Sequence, residues 1–176
     1  RSIGLSEVGP ETIRRAAKVH RIADLQIEYS IASREPEDTI FPVLKELGIG
    51  ATLYGVLSRG LLTASPIRPG DARAHMPRFV GKNGEANAKL VAGLQGLAKR
   101  WGVTLSQLAI GWVLGKQSQF LPTLGIRTIQ QLEEAISAKP LTPEQMAEVE
   151  AVAPRGAFAG DRYPAAHMAL LDSEKR

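Results

Sequence analysis

Tyr54 ends a short apolar run, Ala51-Thr52-Leu53-Tyr54, and is followed at once by Gly55-Val56-Leu57-Ser58-Arg59-Gly60. An aromatic ring at the end of a strand can form one wall for a flat ligand. The Ser-Arg-Gly turn behind it offers backbone amides, a hydroxyl and a guanidinium. That set suits phosphate, because arginine binds it bidentately and glycine allows close approach. A second segment of similar character, Gly125-Ile126-Arg127-Thr128, lies where an apolar run gives way to a helical pattern. A helix N-terminus there would be an anion site. Two earlier apolar runs end near Ser6 and Gln26. A hydroxyl and an amide at adjacent strand ends grip a carboxamide by donating and accepting together. Each feature also has a plain structural reading: Tyr54 as a core residue before a surface turn, Ser6 as a helix cap, Gln26 as a satisfied polar residue.

The elements that must position these residues form a repeat. The runs IGLSE from Ile3, LQIEYS from Leu25, ATLYGVLSRG from Ala51 and LGIRTIQQLEE from Leu124 each end in small or polar residues and lead towards a helical stretch. A β-then-α repetition is the pattern of an α/β fold with parallel strands. A complete (β/α)8 TIM-type barrel has eight such units and typically about 250 residues. Four units in 176 residues predict a half-barrel with a C-terminal helix and tail, one domain over residues 1–176. The spacing predicts strands over residues 1–5, 23–29, 50–56 and 120–125. It predicts helices over 10–20, 36–47, 85–101, 105–116 and 129–138, with Pro42 as a kink or early break in the second. Thr104 with Gln107, and Thr142 with Gln145, stand in capping-box spacing. A long loop is expected over residues 58–84 and a tail of little periodicity over 154–176.

Composition narrows the function classes. With 44% hydrophobic residues the chain has the means to form a core, and it holds no apolar run long enough to predict a membrane span. Having no cysteine, it forms no disulfide, cysteine nucleophile or cysteine-ligated metal centre. No metal site is expected. The net charge of +4 comes from dispersed Lys and Arg interleaved with acids, and only 5% of residues are aromatic. That pattern predicts a solvated surface rather than a nucleic-acid partner. With no secretory segment in evidence, the cytoplasm is the expected compartment. The chain starts inside an apparent strand, whose open edge needs a neighbour, so an N-terminal part is expected to be missing.

The ordered set IGLSE, LQIEYS, LYGVLSRG, Pro77-Arg78-Phe79, QLAIGWVL from Gln107 and GIRTIQQLEE, together with Gly160-Asp161-Arg162-Tyr163-Pro164 in the tail, resembles the C-terminal half of an aldo-keto reductase. The resemblance implies a (β/α)8 barrel that uses NADPH to reduce small aldehydes and ketones to alcohols. It implies that Ser6 and Gln26 bind the nicotinamide carboxamide, with Glu7 where the family often has Asn. Tyr54 would stack on the nicotinamide ring, and Gly55, Leu57 and Arg59 would line the pyrophosphate channel. Gly125, Arg127, Gln131 and Glu134 would surround the adenosine and its 2′-phosphate. The family commonly has Asn where Ala135 stands and basic residues where Thr128 and Gln131 stand. The phosphate clamp is thereby thinned to Arg127, which leaves NADH as the alternative cofactor.

The family's catalytic Asp, Tyr, Lys and His lie on its first four strands, none of which this chain contains. No catalytic residue is therefore assigned; His20, His75, His167, Tyr29 and Tyr163 receive no such role. The leading expectation is the cofactor-binding half of a carbonyl reductase, inactive alone and completed by the missing N-terminal half of the barrel. The alternatives are a non-catalytic nucleotide-binding or regulatory module and a self-associating half-barrel. Arg68, Arg73, His75 and Arg78 in the long loop read either as a site for an anionic or polar substrate or as a solvated loop.

Overall fold

The computed structural model describes residues 1–63, 65–116 and 120–175. Ala64, within the expected long loop, and Arg176, at the end of the expected tail, lie outside the described residues. Strands β1 (Ile3–Ser6), β2 (Ile22–Glu28), β3 (Gly50–Tyr54) and β4 (Phe120–Pro122) form one parallel sheet in the order β1-β2-β3-β4. Helices α1 (Pro10–Val19) and α2 (Pro36–Leu47) connect the first three strands. Helices α3 (Gly81–Arg100) and α4 (Leu105–Lys116) precede β4, and α5 (Ile129–Ile136), α6 (Pro143–Val152) and the short α7 (Ala165–Met168) follow it. This is the α/β arrangement with parallel strands that the repeat predicts.

One face of the sheet makes the core. Leu25 and Ile27 of β2, Ala51 and Leu53 of β3 and Phe120 of β4 alternate onto the helix-covered side, where all are buried. They meet α4, which is apolar on every side and carries the fully buried Trp112 and Leu108. Tyr29, Phe41 and Phe120 pack edge-on or tilted around this centre, with ring centroids 4.6 to 5.9 Å apart. The opposite face is different. Gly4, Ser6, Gln26 and Leu121 are exposed, although parallel sheets are normally covered on both sides.

Several boundaries differ from the sequence expectation. Helix α2 runs through Pro42 to Leu47. Burial of Ile40, Phe41, Val43 and Leu44 on both sides of the proline offsets the roughly 3 kcal/mol that an internal proline costs. Strand β3 stops at Tyr54 rather than Val56, because Gly55 turns into the left-handed region at φ 67°. Strand β4 stops at Pro122, whose ring nitrogen has no proton to donate to a ladder. The loop predicted over residues 58–84 holds three 3-10 turns, Ser58–Thr63, Ala72–His75 and Pro77–Phe79, and α3 begins within it at Gly81. Helix α5 ends at Ile136, two residues early, and the tail contains α7 and a 3-10 turn, Asp172–Glu174. Both capping boxes form: Thr104 and Gln107 exchange backbone–side-chain bonds of 3.0 and 3.1 Å, and Thr142 and Gln145 do the same at 3.0 and 3.3 Å.

Candidate functional site

The C-terminal ends of the strands hold the site. Among the described residues, the non-glycine positions with left-handed φ are Glu7 (51°), Ser58 (46°) and Arg59 (56°), and all follow strand ends. Such conformations cost on the order of 1 kcal/mol or more each and persist where the surroundings over-determine them. The surroundings here are a cleft of about 1040 Å³ between the turn after β3 and the segment that opens α5. Tyr54, Gly55, Leu57 and Arg59 line one side of it, and Gly125, Arg127, Gln131 and Glu134 line the other. The two phosphate-compatible segments are thus brought together. Ser6 and Gln26 lie outside the cleft, on the open sheet face, where the register sets them side by side and Gln26 beside Thr52. Neighbouring parallel strands lie about 4.8 Å apart, which suits a hydroxyl and an amide that grip one small group together.

The individual side chains divide into free and committed groups. Among the described residues, the Arg127 guanidinium has no hydrogen-bond or ion-pair partner, and its backbone amide donates to Gln131 Oε1 at 2.9 Å. Gln131 therefore acts first as a cap of α5, jointly with Thr128, whose hydroxyl accepts from the Gln131 amide at 3.2 Å. Glu134 accepts the Thr104 hydroxyl, joining α5 to the start of α4. Arg59 is committed: it donates to both oxygens of Glu28, at 3.3 and 2.9 Å, and its guanidinium lies over the Tyr163 ring, 4.3 Å from the centroid. In the loop Arg73 donates to Asp71, Ser65 and Pro66 and reaches back to the carbonyl of Arg59 at 3.2 Å. Bonds from one side chain to four residues thus fold the loop over the cleft wall.

Beneath Tyr54 lies a buried charge network that the sequence reading missed. The fully buried carboxylate of Glu28 accepts from Ser33 Oγ at 2.9 Å and from Arg59. Arg162, from the tail, reaches in with only 5% of its side chain exposed. Its Nη2 donates to Glu7 Oε2 at 2.6 Å and to Glu174 Oε1 at 2.8 Å. Its Nη1 donates to Glu7 Oε1 and to the Tyr54 hydroxyl, both at 3.2 Å. The Tyr54 hydroxyl in turn donates to Glu7 Oε1 at 2.9 Å. Burial pushes the Tyr54 phenol well above its ordinary range, and Tyr163 and the Glu7 charge push it the same way. Burial alone would raise the Glu7 carboxyl; bonds from Arg162, Ser173 and the Glu28 amide overcome it and hold the group below the usual carboxylate range. Arg78, also buried, is pushed below the ordinary arginine range by its desolvation and donates to Ser33 Oγ at 2.7 Å and to the Gly160 carbonyl at 3.0 Å.

Two signals in the sequence point to this network. Glu28 follows Gln26 by two positions, so it shares that face of β2, and an acid between the apolar Ile27 and the aromatic Tyr29 needs partners when buried. Gly160 to Pro164 stands out in the tail as a motif to which no role had been given. Among the described residues no group of three His, Asp or Glu side chains is placed to hold a metal ion, and no helix is long and apolar enough to cross a membrane.

The strand ends of this parallel α/β sheet thus carry an aromatic ring, glycine-containing turns and an arginine on each side of one cleft. This chain belongs to the aldo/keto reductase family, whose pattern matches residues 1–154. It is 37% identical to the probable aldo-keto reductase 1 of Glycine max over 168 residues, 92% of this chain and 48% of that protein. It is similar in structure to a glycerol dehydrogenase from Gluconobacter oxydans, with a TM-score of 0.77 at 25% identity, covering 86% of this chain and 48% of that one. It is similar also to the holo form of an aldo-keto reductase from Bacillus halodurans, with a TM-score of 0.65 at 25% identity, covering 87% and 50%. The chain thus spans about half the length of the relatives it matches.

Proposed function

We propose that this chain is the cofactor-binding half of an NADPH-dependent oxidoreductase that reduces small aldehydes or ketones to alcohols, within a (β/α)8 barrel whose other half carries the catalytic groups. The observation that carries the reading is the single cleft that joins the Tyr54–Arg59 turn to the Gly125–Arg127 segment, with a family match over residues 1–154. The cleft suits a dinucleotide in size and chemistry: an aromatic wall at one end, Arg127, unpaired among the described residues, at the other, and a positive-φ turn at Gly55 to Gly60 along its wall. Bound NADPH would supply the hydride. The chain's own residues would hold and orient it: Ser6 and Gln26 at the carboxamide and Tyr54 against the nicotinamide ring. Gly55 and Leu57 would flank the pyrophosphate, and Arg127 would sit at the 2′-phosphate.

Two residues take adjusted parts. Arg59 is spent on Glu28 and Tyr163, so its backbone and not its guanidinium would face the pyrophosphate. Glu7 is saturated by Arg162, Tyr54, Ser173 and the Glu28 amide, so it would support the ring site from beneath. Gln131 and Glu134 would shape the adenosine end through the α5 cap and the Thr104 contact. With one free arginine in the clamp, NADH is the competing cofactor.

Titration of the intact protein with NADPH and NADH, followed by intrinsic fluorescence, tests the reading together with an assay of NADPH oxidation in the presence of small aldehydes. Binding of NADPH and aldehyde-dependent oxidation are expected. An intact protein that binds neither cofactor would overturn the assignment. The 176-residue chain alone is expected to show no reductase activity.

A further inference from the structure

The tail motif Gly160 to Pro164 is not consumed by the fold alone, since Tyr163 lines the cleft and Arg162 bonds to Tyr54, which lines it too. Tyr163 lines the cleft and caps the Arg59 guanidinium at 4.3 Å. Arg162 donates to the Tyr54 hydroxyl, Glu7, Ser173 and Glu174, at 2.6 to 3.2 Å. The remaining tail is fixed as well. Asp172 Oδ2 accepts the Gly9 amide at 3.0 Å, and the Ser173 amide donates to the Glu7 carbonyl at 3.2 Å. The segment after β1 is thereby bound to the tail at both its backbone and its side chain.

From this we infer that Arg162 is a positioning residue for the cofactor ring. Through Glu7 and the Tyr54 hydroxyl it fixes the plane of the phenol against which the nicotinamide would stack, and the C-terminal tail thereby belongs to the redox end of the site. The inference rests on the proposed reading of the cleft. Tyr54 stands at the end of β3 beside Gly55 at φ 67°, and Leu53 behind it is fully buried, so its backbone is set by the sheet. Its ring is tied at the far end by the hydroxyl, through one donated and one accepted bond. Both bonds run to Glu7 or Arg162. Glu7 in turn sits in a left-handed conformation and keeps it through the Glu28 amide and the tail. Remove the guanidinium fork and Tyr54 loses the partner that makes its tether two-point. A flat stacking platform that rocks loses selectivity for the ring and not for the phosphates.

The test separates the two ends of the ligand. The intact protein, Arg162→Lys and Tyr54→Phe are titrated with NADPH and with 2′-phospho-ADP-ribose, which lacks the nicotinamide. Lysine keeps a charge beside Glu7 but has no fork, and phenylalanine keeps the ring but has no tether. Thermal melting confirms that each variant is folded. Both variants are expected to bind NADPH about tenfold more weakly while binding the fragment within about twofold of the wild type, since a lost charge-assisted bond is worth about that factor. Equal weakening of both ligands would make Arg162 a merely structural residue and overturn the inference, and so would no weakening of either. A wild-type protein that binds neither ligand would overturn the cofactor reading itself. A wild type that binds both while the variants behave alike toward them would overturn only the role of Arg162.

Discussion

Arg162 Nη2 and Glu7 Oε2 meet at 2.6 Å, joining the tail to the turn after the first strand in a place where both side chains are largely shielded from water. A charge pair of this kind is asymmetric in its energetics. Formed, it roughly offsets its own desolvation; broken on one side, it leaves a buried charge that costs about 3–5 kcal/mol. Arg162→Met is therefore expected to lower the unfolding free energy by about 3 kcal/mol in denaturant titration. Arg162→Met combined with Glu7→Gln should recover a substantial part of that loss, because no unpaired charge remains at Glu7. A double variant as unstable as the single one would show that packing of the arginine stem, and not charge, dominates.

The same pair sets an acid response. Glu7, Glu37 and Glu150 all have carboxyls held below the usual range by arginine partners that outweigh their burial. A depressed folded-state value means that the stabilisation is complete above the unfolded carboxylate range, about pH 4.3. It is lost as pH falls through the lower folded values. The melting temperature should hold steady between about pH 7 and 5 and fall progressively below about pH 4. In Arg162→Met, burial still raises the Glu7 value while its strongest lowering partner is gone, so the decline should begin at higher pH than in the wild type. An unchanged profile in the variant would remove Glu7 from the acid response.

How much of this was legible before the structure is answered by particular residues. The βα repeat, both capping boxes and the Tyr54–Gly60 and Gly125–Thr128 segments, each taken singly, follow from patterns within a few positions, and short-range rules read those well. The strand ends were over-extended at Gly55 and Pro122, where a left-handed turn and a missing donor override an apolar run. Arg162 and Glu28 were not legible as a pair. Their contact joins positions far apart in sequence, and only the fold supplies that proximity. Arg127 is legible as part of its segment, whereas the commitment of Arg59 to Glu28 and Tyr163 depends on contacts that only the fold supplies.

Gly55 tests the turn that follows Tyr54. Its φ is 67°, and a Cβ there would stand 2.9 Å from Glu28 Cγ and 3.1 Å from its Cδ. Glu28 is held by Ser33 and Arg59 and is fully buried, so it has no room to yield. Gly55→Ala adds backbone strain to an overpacked contact, and a loss of about 2–3 kcal/mol is expected in chemical denaturation. Because the displaced Glu28 carries Arg59 with it, the same variant should bind NADPH more weakly. A variant as stable as the wild type would mean that the turn relaxes at no cost.

Arg127 tests the far end of the cleft. Among the described residues its guanidinium is unpaired and exposed, so its removal takes away no structural bond. Arg127→Ala should leave the melting temperature within about a degree, since surface changes of this kind lie within about 0.5 kcal/mol. NADPH binding is expected to weaken about tenfold and NADH binding about twofold or less, because only NADPH carries the 2′-phosphate. Equal effects on the two cofactors would place the 2′-phosphate elsewhere in the cleft.

The last prediction concerns the surface that the chain leaves open. On α5, Ile129 is 77% exposed, Leu132 46% and Ile136 74%, and Leu121 on β4 is 62% exposed. These residues are spaced at three and four along one helix face, the pattern of a stripe that expects a partner. The neighbouring sheet face is open too, with Ser6 and Gln26 on it, and both outer strands, β1 and β4, have a free edge. The chain spans about half the length of its relatives, and in the proposed reading the cover is the other half of the barrel. Prepared alone, the 176-residue chain is expected to associate with itself through this stripe, measured as a mass above 19.0 kDa in light scattering. Ile129→Ser with Ile136→Ser should shift the distribution toward the monomer without lowering the melting temperature, because neither side chain is buried. Addition of the proposed other half of the barrel should do the same for the wild-type chain. A wild-type chain that remains monomeric at high concentration would show that the stripe and the open sheet face need no cover, and the half-barrel reading would fall with it.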